Sequence, residues 1–322
     1  MIAVVIPCFK VSRHILDVVS RVGPEVAHIL VVDDACPGNS GRLVAAECTD
    51  PRVTVIYHTV NGGVGAAVKT GYRKAVELGA EVVVKVDGDG QMDPSLISVF
   101  VDPILKGDAN YTKGNRFFEL DVINRMPSTR LLGNVALSFL TKLSSGYWNL
   151  FDPTNGYTAI SSRMIQLLPL DKIEDRYFFE SDMIFRLNTL RAVIADIPMD
   201  AIYGDEQSNL NAMEVIRPFL ICNIRNFGKR IFYNYFVRNF NYASLELIFG
   251  IILSMFGFLF GASKWIFHAM DGSVASAGTV MVSGLSLIIG VQMLLGFLQY
   301  DMSNIPDRPL QNRILDGGNT RS

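Results

Sequence analysis

Three oxygen-bearing side chains clustered behind one β-rich run carry the most specific chemistry in the chain. The run Val82-Val-Val-Lys-Val leads straight into Asp87-Gly-Asp89-Gly-Gln91-Met-Asp93-Pro94. Asp87, Asp89 and Gln91 thereby share a glycine-relieved turn, with a proline-started helix to follow. Hard oxygen donors that leave positions open suit Mg²⁺ or Mn²⁺ bridging a diphosphate. An EF-hand also opens D-x-D, but it requires Gly at its sixth position and Glu at its twelfth, where this chain has Met92 and Ser98. The plainer use of such an acidic turn is a helix cap.

A second acidic pair, Asp33-Asp34, ends the run Val31-Val32. A carboxylate there can accept a hydrogen bond from a base N–H of a nucleotide lying across strand ends, and with Ile6-Pro7-Cys8-Phe9 it outlines a base pocket. Capping is equally open to it. Asn61-Gly-Gly63-Val-Gly65 opens a helix and has room to approach a phosphate, with Gly63 foremost. The segment matches neither the dinucleotide fingerprint nor a Walker loop.

These groups need strand ends to hold them. From Ile2 to about Leu105, β-rich runs (Ala3–Ile6, His28–Val32, Val53–Tyr57, Val82–Val86) alternate with helical periodicity, with helices expected after a Ser12 cap, after Ser40, over Val64–Leu78 and from Pro94. That alternation predicts a parallel sheet covered on both faces, with ligands at the carboxyl ends of its strands. Ala109 to about Ile202 mixes short strands with a helix near Ser181–Leu190 and reads as an acceptor-side subdomain.

Charge is spread unevenly. The 57 residues from Ser244 to Tyr300 carry only Glu246, Lys264 and Asp271, and mean hydropathy over the chain is +0.28. Leu247–Ser263 and Val274–Leu298 would make helices of roughly 26 and 37 Å, set against a hydrocarbon core of ~30 Å. Before them, Met213–Asn241 is apolar at helical spacing with Arg225, Lys229, Arg230 and Arg238 between, which reads as a basic amphipathic segment at a membrane surface, the alternative being a helix packed on the globular domain. Four basic residues on that side against Lys264 in the connecting loop place the N-terminal part and both termini in the cytoplasm. Gly257-Phe-Leu-Phe-Gly261 has the spacing of a helix-packing motif.

A net charge of −2 gives no basis for nucleic-acid binding. Four cysteines and four histidines without metal-ligand spacing argue against zinc and against a disulfide framework. The first apolar run, Ile2–Ile6, is too short for a signal peptide.

In this order the motifs resemble GT-A glycosyltransferases of family 2, and the C-terminal hairpin narrows the likeness to polyprenyl-phosphate glycosyltransferases, similar to dolichol-phosphate mannose synthases and bacterial undecaprenyl-phosphate sugar transferases. The resemblance implies an α/β fold with a Rossmann-like mixed sheet, helices on both faces, and a two-helix transmembrane hairpin. It divides the chain into a cytoplasmic catalytic domain (1–212), basic amphipathic juxtamembrane helices (213–243), two spans (244–300) and a cytoplasmic tail (301–322), in the inner (plasma) membrane. It implies that Pro7, Phe9, Asp34, Asp87 and Gly63 hold the nucleotide-sugar, with Phe9 in the place of the family's usual Tyr, and that Asp87, Asp89 and Gln91 hold the metal.

By the same likeness Gly114-Asn-Arg116 and Arg130 take the acceptor phosphate, Asp182 in Phe178-Phe-Glu180-Ser-Asp182 faces the acceptor, and Asp152-Pro-Thr-Asn155-Gly156-Tyr157 lies near the sugar or forms a turn. The chain departs from the mannose synthases at Ile202-Tyr-Gly-Asp-Glu-Gln-Ser208-Asn209, which puts mannose as the sugar in doubt. The implied reaction is inverting, metal-dependent transfer of a monosaccharide, from a UDP-sugar by the likeness to bacterial members, onto a polyprenyl (undecaprenyl) phosphate for cell-envelope glycan or O-antigen modification. A phosphate monoester is mostly ionised at cytosolic pH, so Asp182 would orient more than deprotonate. The alternatives are a processive polysaccharide synthase, which would be expected to carry Q-x-x-R-W, and a non-catalytic membrane-anchored nucleotide-sugar-binding protein. A sugar nucleotidyltransferase lacks support because its glycine-rich basic loop is missing after Ile6. Homo-oligomerisation stays open.

Overall fold

A computed structural model describes residues 1–117, 128–200 and 212–310, without the side chains of 128–132 and 212–216. The chain forms two compact units, Met1–Phe227 with Pro306–Ser322, and Gly228–Ile305.

The first unit is built on one seven-stranded sheet. Its strands are β1 (Ile2–Cys8), β2 (Val26–Asp33), β3 (Val53–Tyr57), β4 (Val82–Lys85), β5 (Tyr111–Asn115), β6 (Thr158–Ser161) and β7 (Ile194–Pro198), in the spatial order β3-β2-β1-β4-β6-β5-β7. β1 to β4 pair in parallel, β6 runs antiparallel to both β4 and β5, and β5 is parallel to β7. β4 is buried along its whole length and β1 along nearly all of it, which explains their unbroken Val and Ile runs. The sheet is therefore mixed, as the resemblance implies. β5 to β7 extend the same sheet.

Helices follow the strands as α1 (Ile15–Ser20), α2 (Ser40–Glu47), α3 (Val64–Glu77) and α4 (Ile97–Leu105), then α5 (Ser128–Ser145), α6 (Ser162–Leu167), α7 (Phe179–Thr189) and α8 (Ala212–Phe232). Ser12 caps no helix: α1 begins at Ile15 behind His14, whose side chain makes no capping bond. Before α4 the short 3₁₀ turn Pro94–Leu96 is capped by Asp93, whose carboxylate accepts from Ser95 N. Gly71 lets α3 lie close on the sheet, since a Cβ there would stand 2.3 Å from Val5 Cγ1.

The start of α8 is seated on this unit. Asn226 Nδ2 donates to Asp182 Oδ1 at 2.8 Å, Ser144 Oγ donates to Asn223 Oδ1 at 2.5 Å, and Arg225 pairs with Glu174 at 2.8 Å. The unit thus runs past the expected boundary at 212 to Phe227. The chain also returns to it late, where Leu310 N donates to Asn110 Oδ1.

The second unit is a helical hairpin. A π-helical turn, Tyr233–Arg238, precedes α9 (Tyr242–Asp271) and α10 (Ala277–Ser303), and both long helices are long and apolar enough to cross a membrane by length and composition. Gly257 and Gly261 both face α10, as their spacing predicts. A Cβ on Gly257 would lie 2.7 Å from Leu287 N, and one on Gly261 would lie 2.2 Å from Ser283 Oγ. Gly250 and Gly290 are equally crowded across the same seam. At the base of the hairpin Arg230 and Asp301, 2 and 3% exposed, form a two-pronged ion pair at 2.5 and 2.9 Å, and Tyr235 Oη donates to Asp301 Oδ1 at 2.7 Å.

Candidate active site

The acidic turn leaves β4 at the carboxyl edge of the parallel strands. Asp87 N donates to Met92 Sδ, and Asp89 Oδ1 accepts from Gln91 N at 3.0 Å, so the turn is held partly by its own side chains. The decisive neighbour is Lys85. Its Nζ lies 2.8 Å from Asp87 Oδ1 and donates to Glu180 Oε1 and Gly156 O, both at 3.1 Å. Burial pushes a lysine down, yet the carboxylates of Asp87 and Glu180 hold this one above the ordinary lysine range.

Gly156 belongs to the loop Asp152–Tyr157, which the structure brings against the acidic turn. A Cβ on Gly156 would fall 2.6 Å from both Asp87 Oδ2 and Lys85 Nζ. The loop is anchored from below by Lys113, which donates to Asn155 O. Lys113 is fully buried, and burial pulls it down to about 8 against the pull of Asp152 and Glu180. At the start of the loop, Asp152 accepts from Arg116 Nε at 2.7 Å and from Nη2 at 3.1 Å. Arg116 is thus tied through this loop to Lys85 and Asp87.

Other expected residues are placed differently. Asp182 is fully buried and turned under α8, accepting from Asn226 Nδ2 and from Glu174 N, and burial raises it above the usual carboxylate range. Glu180, two residues earlier, instead reaches Lys85 beside the acidic turn. Residues two apart on a helix point about 200° apart, so one of the two carboxylates must face away from the sheet edge. The backbone of Arg130 lies in α5, but its side chain is outside the described residues, as is all of Ile202–Asn209.

Asp33 and Asp34 both bind backbone N–H groups of the segments that lead into α2 and α3. Asp33 accepts from Cys36 N and Gly41 N, and Asp34 accepts from Gly62 N at 2.9 Å and Gly63 N at 2.7 Å, with His58 Nδ1 also 2.7 Å from Asp34 Oδ1. Gly63 has φ +100°, and a Cβ on it would lie 2.6 Å from Asp175 O. Its N–H and its open side thus already have protein partners. Phe9 is 40% exposed beside the half-buried Pro7, and Lys10 Nζ lies over its ring, 5.3 Å from the centroid.

Among the described residues no three His, Cys, Asp or Glu side chains are grouped to hold an ion unaided. Asp87 and Asp89 supply two hard carboxylates on an accessible turn, and Gln91 is exposed beside them. Such a donor set fits Mg²⁺ or Mn²⁺ whose remaining positions are filled by a diphosphate and water. Sequence reasoning missed Lys85 and Glu180. A charged residue inside an otherwise all-valine strand was the available signal for the first.

Residues 3–168, just over half of the chain, match the family described as Glycosyl transferase family 2. The chain belongs to that family. This glycosyltransferase is 29% identical over 219 residues to the UDP-N-acetylglucosamine–dolichyl-phosphate N-acetylglucosaminyltransferase of Methanococcus voltae, covering 64% of this chain and 87% of that protein. It is 33% identical over 175 residues to the undecaprenyl-phosphate mannosyltransferase of Micrococcus luteus, covering 53% and 70%. Its fold is similar to that of glucosyl-3-phosphoglycerate synthase from Mycobacterium tuberculosis, solved with Mn²⁺, UDP and glucosyl-3-phosphoglycerate, at a TM-score of 0.53, 18% identity, and 71% and 79% coverage.

Proposed function

We propose that this glycosyltransferase moves one monosaccharide from a nucleotide-sugar, with UDP as its carrier, onto a polyprenyl phosphate at the cytoplasmic face of the inner (plasma) membrane. The observation that carries the reading is the Asp87–Asp89 turn at the carboxyl edge of parallel strands, linked through the Asp152–Tyr157 loop to Arg116. The names of the M. voltae and M. luteus relatives support the acceptor class, and UDP in the first name supports the donor.

Phe9 stacks on the base, while Asp34 holds the Asn61–Gly63 segment beside it. Asp87 and Asp89, with Gln91 alongside, would hold Mg²⁺ or Mn²⁺, which would supply positive charge against that building on the departing nucleoside diphosphate. Arg116 and Arg130 orient the acceptor phosphate in line with the anomeric carbon, and a single displacement inverts that centre. The acceptor oxygen is ionised at cytosolic pH, so no side chain has to remove a proton from it.

The membrane assignment draws on α9 and α10 and on the basic residues Arg225, Lys229, Arg230 and Arg238 that precede them. Because Leu310 bonds back to the first unit, two crossings return the chain to the side it left. The direct test is mass spectrometry of lipid extracts after membranes carrying the protein are incubated with a panel of nucleotide-sugars, with and without EDTA. A polyprenyl-monophosphate-sugar that appears only without chelator is expected. Sugar found on a free polysaccharide end would overturn the acceptor, and full turnover in excess EDTA would overturn the metal.

A further inference from the structure

One buried ammonium serves three acceptors. Lys85 Nζ reaches Asp87 Oδ1, Glu180 Oε1 and Gly156 O, and the side-chain exposures run from 1% at Lys85 through 14% at Glu180 to 29% at Asp87. Asp87 is the member open to a ligand, and Glu180 is the member that stays inside. An ammonium at 2.8 Å competes with a divalent ion for the same carboxylate. Glu180 draws that ammonium the other way.

We propose that Lys85 and Glu180 form a built-in counter-charge pair, which sets the affinity of Asp87 for its divalent ion and keeps that carboxylate aimed as ion and nucleotide come and go. The inference rests on the assignment of Asp87 to the metal. In the free enzyme Lys85 is shared between two carboxylates. Once the ion takes Asp87, Glu180 retains the ammonium, so the lysine neither follows the carboxylate nor is left uncompensated in a dry site. The loop closes tightly over Lys85, since a Cβ on Gly156 would crowd Asp87 Oδ2 and Lys85 Nζ unless they moved. Both are positioning residues, acting through Asp87.

Charge makes the two single variants differ. Glu180→Gln leaves Lys85 leaning on Asp87 alone, so Mn²⁺ binding in the presence of UDP, read by electron paramagnetic resonance on the full-length protein in detergent, should weaken about tenfold. Lys85→Met removes the competitor, so Mn²⁺ binding should not weaken, while kcat falls because Asp87 and the Gly156 loop lose their tether. The double variant should return Mn²⁺ affinity to within about threefold of wild type. A pair that served only as a fold strut would lower thermal stability and leave Mn²⁺ affinity unchanged in every folded variant, and that result overturns the proposal. Should Lys85→Met fail to fold, the near-isosteric Glu180→Gln decides alone. Wild type that binds no Mn²⁺ with UDP would remove the metal assignment together with this one, whereas wild-type binding that Glu180→Gln leaves unchanged removes only the role of the pair.

Discussion

Arg116 grips Asp152 with two nitrogens, and the carboxylate is the fixed jaw, its side chain 1% exposed against 31% for the arginine. The guanidinium therefore keeps its plane set by a buried partner while part of it faces outward. Asp152→Ala should release that plane and raise the acceptor concentration for half-maximal rate about tenfold, with nucleotide-sugar affinity held within about twofold. Steady-state kinetics with each substrate varied in turn, beside a donor-binding titration, checks this. Collapse of donor affinity with acceptor saturation intact would assign Arg116 to the wrong substrate.

Gly156 tests the geometry of the acidic turn more sharply. The atoms a new methyl would strike, Asp87 Oδ2 and Lys85 Nζ, are the ends of side chains and can swing aside, so Gly156→Ala should fold. The cost falls on alignment. Turnover should drop by about 100-fold or more, while the melting temperature stays close to that of wild type. Near-normal turnover would mean that Asp87 does not need the position in which this loop holds it.

Lys113 gives stability a pH dependence of defined sign. Burial lowers it to about 8 in the folded protein, so between there and the ordinary lysine value of ~10.4 the unfolded chain binds the extra proton. Stability from this group therefore rises with pH across that window, and the penalty for burying the charge is fully present below it. Melting temperatures of wild type and Lys113→Met, measured from pH 7 to 10, should show wild type gaining on the variant as pH rises. A difference that is flat or of opposite slope would show that the ammonium is not desolvated.

Local signals in the sequence served well where one element dictates its own neighbours. The valine-rich runs, the glycine-relieved Asp87–Asp89 turn and the Gly257/Gly261 spacing all fall where their periods put them. Long-range choices were not legible. Nothing local announces that β6 enters antiparallel between β4 and β5, because that depends on which strand edges remain unpaired. Likewise both Glu180 and Asp182 offer a carboxylate, and only the seating of α7 against α8 through Asn226 decides which faces the site. Asp34 shows a third limit: as a residue it suits base recognition, while its hydrogen bonds to Gly62 and Gly63 appear only once α3 is in place.

Arg230 and Asp301 lie 71 positions apart, with all of α9 and nearly all of α10 strung between them. During synthesis the arginine emerges long before its partner. If α9 and α10 span a membrane as proposed, the arginine's charge must stay in water or among lipid headgroups until the second helix has been made and folded back, since hydrocarbon cannot solvate it. The clasp can close only on a finished hairpin, and a chain that stops short of Asp301 lacks the carboxylate that Arg230 grips at 2.5 and 2.9 Å. Truncated copies would in this way bear a mark of incompleteness in their own chemistry.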